Sequence, residues 1–89
     1  MFIARVVSVL RVASRGTFVG IVIEEGAVHV GDRVRIKIIG GTTREVNVRG
    51  VEIMDGRTPD GKRESIVALH LDHVQASEIE MASRIKTVP

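Results

Sequence analysis

The sequence predicts an all-β domain closed as a small six-stranded antiparallel Greek-key barrel, and three observations predict it. The apolar residues are mostly Val and Ile, with only two Phe and no Trp or Tyr, and β-branched side chains favour strands. Six segments of strand length carry apolar alternation or short apolar runs, separated by turns marked with Gly, Pro or charge. No stretch reads as more than one turn of helix. A parallel sheet needs crossovers of a dozen or more residues, and only 55–64 approaches that length, with nothing helical in it. A chain of 89 residues makes one domain, 1–89. Closing its sheet is the economical way to cover the edges.

The first strand is expected over 2–12, "FIARVVSVLRV", and the second over 17–24, "TFVGIVIE". Between them "SRGT" is a tight corner, where Gly16 allows a backbone that a β-branched residue would resist. The long stem of Arg15 can lie along apolar surface while its guanidinium reaches water. "HVGD", 29–32, is a second tight connection, with Gly31 free to take a positive φ. In "RVRIKII", 33–39, Arg33, Arg35 and Lys37 share one face, and Val34, Ile36 and Ile38 share the other. "GG" at 40–41 turns the chain back into "REVNVRGVEI", 44–53. Val46 and Val48 point inward there, and Glu45, Asn47 and Arg49 point outward. "DGRTPDGKRE", 55–64, reads as an irregular loop with a reverse turn at "TPDG". "SIVALHL", 65–71, is the fifth strand, with Val67, Leu69 and Leu71 on its core face. "ASEIE", 76–80, reads as one helical turn capped by Ser77 and answered by Glu80. The last strand falls at 84–88.

Composition excludes several functions. There are no cysteines, hence no disulfides or thiolate metal sites, which suits a reducing cytoplasm. No apolar run approaches the ~20 residues of a membrane span, and "MFIARVV" is not a signal peptide. Catalysis is not expected. No "G-x-x-x-x-G-K-[ST]" stretch is present to cradle a nucleotide phosphate, and no serine sits in a nucleophile context. Glu24 and Glu25 are adjacent on a strand, so they face opposite ways. "H-L-D-H", 70–73, places His70 and His73 on different elements, which argues against a shared metal. No cofactor is expected.

The net charge of +2 is uneven: residues 1–49 carry +4 and residues 50–89 carry −2. The Arg33, Arg35 and Lys37 face, with Arg49 from the hairpin partner, can meet phosphates. Arg5, Arg11 and Arg15 join it if barrel closure brings them near. Single-stranded RNA readers stack bases on exposed aromatics. Phe2 and Phe18 both read as core, so any RNA would be structured and gripped by its backbone.

The motifs also carry a resemblance. The first strand opens on Phe2, has Val6 and Val9 at buried positions, and runs into "SRGT". "EEGAVHVGDRVRI", "VRGVEI", "VALHLDHV" and "SEIEMASRI" follow in order. The chain resembles the second domain of translational GTPases, the elongation factor Tu domain 2 family, over nearly its whole length. That family has "GRGT" where Ser14 to Thr17 stand here. Its later glycines fall on Ile21, on Arg63 and Glu64, on His73 and on Ala82, which predicts altered loops. The resemblance implies a six-stranded Greek-key barrel that binds RNA, either tRNA or ribosomal RNA, or another part of the translation machinery. On this reading the nucleic-acid-binding candidates are Arg15, Arg33, Arg35, Lys37 and Arg49. The competing class is a protein-interaction module. The aliphatic faces of "IVIE" and "SIVALHL" exceed one barrel interior, which predicts a homodimer or a docked translation-related protein.

Overall fold

The computed structural model describes residues 2–57 and 63–88, with the backbone alone at 54–57 and 63–65. Six strands form: β1 (Ile3–Val12), β2 (Gly16–Glu25), β3 (Arg33–Lys37), β4 (Thr43–Arg57), β5 (Arg63–Leu71) and β6 (Arg84–Thr87). Every pairing is antiparallel. The strands close in the order β1-β2-β5-β4-β3-β6. The consecutive run β3-β4-β5 is flanked by β2 on one side and β6 on the other, so two Greek keys overlap.

Each strand turns one row of apolar side chains into the barrel. Ala4 and Val6 come from β1, Val19 and Ile21 from β2, Val34 and Ile36 from β3, and Val46 and Val48 from β4. Val67, Leu69 and Leu71 come from β5, and Ile85 from β6. Phe2 plugs the interior at full burial. Burying side chains of this size stabilises by about 1.5–3 kcal/mol each.

The register shifts at three places: between Ile3 and Ala4, where Glu24 of β2 is the extra residue, and at bulges that break the alternation of β1 and of β4. On β1 the register shifts between Val6 and Ser8. The Val6 N–H donates to Ser83 O at 2.9 Å, and Val6 O accepts from Ala82 N at 3.2 Å. Inward positions therefore pass from Val6 to Val9, which packs against the core. On β4 the shift lies between Val48 and Gly50, so Arg49 is the extra residue and Val51 takes the inward place.

Two expectations need correction. Within the expected 55–64 loop the described residues, 55–57 and 63–64, are strand, because Asp55, Gly56 and Arg57 pair with Ser65, Glu64 and Arg63. The expected "TPDG" turn lies outside the described residues. The helical turn is a 3-10 turn, Ala76–Glu78, whose N-cap is Gln75 rather than Ser77. Glu78, not Glu80, answers the cap, taking the Gln75 N–H at 2.9 Å. Glu80 is drawn off to β3, where its N–H donates to Lys37 O.

Gly16 is at φ 108° and Gly31 at φ 95°, as their turns require. Three non-glycine residues also hold positive φ: Ser14 at 63°, His73 at 54° and Ala82 at 62°. They are three of the positions at which the resembled pattern has glycine; the others, Ile21, Arg63 and Glu64, lie in β2 and β5 without positive φ. The loops at Ser14, His73 and Ala82 keep the left-handed backbone that a glycine would supply.

Candidate nucleic-acid interface

The strict alternation of β3 buries Val34 and Ile36 and leaves Arg33, Arg35 and Lys37 about half exposed on the outer face. The expected ribbon is therefore a single row, but it is not a row of unpaired charges. Glu45, opposite Arg35 on β4, accepts from Arg33 Nε at 3.1 Å and from Arg35 Nη2 at 3.2 Å. Hydrogen bonds from Arg33, then Arg35, hold the Glu45 carboxyl below the usual glutamate range. Lys37 Nζ stands 3.6 Å from Glu80 Oε2. Exposed pairs of this kind are weak and screened by salt, so a phosphate can compete for the same cations.

Arg49 joins the ribbon through a relay. Arg33 Nη1 donates to Asn47 Oδ1 at 3.3 Å, and Asn47 Nδ2 donates to Asp72 Oδ2 at 3.1 Å. The same oxygen takes Arg49 Nε at 3.0 Å. The Asp72 side chain is only 14% exposed and also accepts the Asn47 backbone N–H at 2.7 Å. Burial pushes its pKa up. The hydrogen bonds from Asn47, with the charges of His73 and Arg49, outweigh that and hold it below the ordinary aspartate value. Asp72 thus fastens the end of β5 beside the bulge of β4.

Arg15 sits apart from this row. Its guanidinium lies 4.9 Å over the Phe18 ring, and Nη2 is 3.5 Å from Glu52 Oε1. Phe18 is buried as expected, but on the outer face of β2 rather than in the barrel. His70 of β5 stacks on it at 4.7 Å between centroids. Gly16 permits that approach, since a Cβ there would meet His70 Nε2 at 3.1 Å. Arg15, Phe18, His70 and Glu52 form one packed outer layer. His73 pairs with Asp72 at 3.6 Å, so the two histidines serve different contacts. Arg11 lies along a separate groove of 720 Å³ with Thr17, His70 and His73.

The structure adds cations that the sequence reading left out. β6 runs beside β3 with Lys86 opposite Arg35, and beside β1 with Arg84 opposite Arg5. Arg84 Nε donates to Glu24 Oε1 at 2.8 Å. That bond lowers the Glu24 pKa and raises that of Arg84. Lys86 has no side-chain partner among the described residues. The alternation of "RIKTV" carried the signal, with Arg84 and Lys86 one residue either side of Ile85. Only closure of the barrel sets them beside β3. No protein-family model matches the chain.

Proposed function

We propose that this barrel is a non-catalytic binding module of the translation-factor kind, which holds structured RNA by its phosphate backbone. The observation that carries the reading is the outer face of β3 and β6. Five cationic side chains, Arg33, Arg35, Lys37, Arg84 and Lys86, meet three carboxylates there, Glu45, Glu80 and Glu24. The excess favours a polyanion, and the absence of exposed aromatics among the described residues favours backbone over base recognition. The left-handed backbone at Ser14, His73 and Ala82 supports the resemblance, because glycine is the residue those turns suit best.

The test is RNA binding across salt for wild type and for the triple variant Arg33→Ala, Arg35→Ala, Lys37→Ala. Phosphate contacts predict log affinity falling with log salt by about 0.7–0.9 per phosphate neutralised. The variant should bind every RNA more weakly and with a shallower slope. If wild type binds neither tRNA nor ribosomal RNA at about 50 mM salt, the protein-interaction reading replaces this one. That reading keeps one observation of its own: Leu10 is 60% exposed and Ile53 81% exposed. Sedimentation equilibrium at twice the 9.7 kDa chain mass would then support the homodimer.

A further inference from the structure

We propose that the phosphodiester seat on this face is the groove between β3 and β6, with Lys86 as its central cation. The proposal rests on the RNA-binding reading and locates its site. The groove encloses 450 Å³ and is lined by Arg35, Lys37, Arg84 and Lys86, with Ala82 and Ser83 at one end. Lys86 stands directly across from Arg35, while the backbone of Lys37 is met by Glu80, whose N–H donates to Lys37 O. Adjacent strands lie ~4.8 Å apart, and alternate residues of one strand ~7 Å apart. Arg35 and Lys86 therefore form one rung able to close on a phosphate, with Lys37 and Arg84 lining the same groove.

The carboxylates paired with these cations, Glu45, Glu24 and Glu80 on Lys37, do not line the groove. Glu45 draws Arg35 toward Arg33 and β4. Glu24 holds Arg84 from the β2 side. Neither lines the groove. Lys86 alone of the four has no carboxylate among the described residues, so it gives its whole charge to a ligand at no cost in broken pairs. The Arg49 end of the ribbon is the reverse case, because Asp72 already takes the Arg49 Nε.

The occupant is a nucleic-acid backbone rather than an acidic protein. Protein interfaces centre on buried aromatic or aliphatic anchors. Among the described residues, Ile36 is the one large apolar side chain in the groove lining, and it is 1% exposed and faces the core.

The experiment is fluorescence anisotropy of a labelled RNA hairpin over about 50–200 mM salt. It compares wild type with Lys86→Ala, Lys86→Arg and Arg11→Ala, all matched in far-ultraviolet circular dichroism. Lys86→Ala should flatten the slope by about 0.7–0.9, one phosphate contact. Lys86→Arg should restore it. Arg11→Ala removes the same charge from the separate groove and should leave it unchanged. Equal flattening by Lys86→Ala and Arg11→Ala would mean diffuse attraction and overturn the groove. A normal Lys86→Ala slope beside a weakened Arg33, Arg35 and Lys37 triple variant would also overturn it, while the RNA-binding reading stood. No binding by wild type would overturn that reading itself. Competition by poly-glutamate equal to that by RNA of matched charge would overturn the phosphodiester assignment.

Discussion

Replacing Ala82 by glycine should make this protein more stable, which is the opposite of the usual effect of glycine in a folded domain. Ala82 holds φ 62° in the turn between Glu80 and Ser83. It has no freedom to leave, because β1 grips the turn from both sides through Val6, whose N–H donates to Ser83 O and whose carbonyl accepts from Ala82 N. A left-handed conformation costs an L-residue about 1–2 kcal/mol. Glycine removes that cost but adds about 0.4–1 kcal/mol of unfolded-state entropy to be lost on folding. The Ala82 side chain is exposed, so little packing is given up, and both bonds to Val6 are kept. The net gain is about 0.5–1 kcal/mol, which in a domain of this size raises Tm by roughly 2–8 °C. Thermal unfolding followed by far-ultraviolet circular dichroism measures it. Ser14→Gly should give a similar gain. His73→Gly should give less, because it surrenders the contact with Asp72. An Ala82→Gly protein that melts at or below wild type would refute the strain argument.

Asp72→Ala should be among the most damaging single changes outside the core. It removes three hydrogen bonds to a largely buried carboxylate and strands the Asn47 N–H. At neutral pH the loss should be about 2–4 kcal/mol by urea unfolding, given about 1.5–3 kcal/mol for one such bond. The folded pKa of Asp72 is depressed, so its stabilisation is complete above the ordinary aspartate value of about 3.9 and fades as pH falls through the lower folded value. The gap between variant and wild type should close in acid, and a gap independent of pH would contradict the assignment. Gly20→Ala should destabilise by about 1–3 kcal/mol through overpacking, since its new Cβ would meet Ser8 Oγ and stand 3.3 Å from Ile66 Cγ2. Adding Ser8→Ala should recover most of that loss, and purely additive effects would show that the two sites do not touch.

What the sequence determined by itself is the local order. The alternation of "RVRIKII" set Arg33, Arg35 and Lys37 outward and Val34 and Ile36 inward, because a strand has a period of two and water accepts only one of those faces. The glycines at 16 and 31 marked turns, because few other residues tolerate their φ. Short connections and the absence of long helices were enough to call for a closed antiparallel barrel. What the tertiary structure decided is everything that depends on non-local pairing. The bulges in β1 and β4 follow from which groups Val6 and Arg49 meet across the barrel, and no local pattern encodes that. The cap on Ala76–Glu78 shifted from Ser77 to Gln75 because Glu80 is held by β3. Phe18 reads as core by composition, yet it is buried on the outer face under Arg15 and His70, residues that reach it only through the turn and the neighbouring strand. The candidate site divided in the same way. The β3 row was legible, but its neutralisation by Glu45 and its extension by Arg84 and Lys86 were not, because a charge acts through space and only closure of β6 between β1 and β3 makes those residues neighbours.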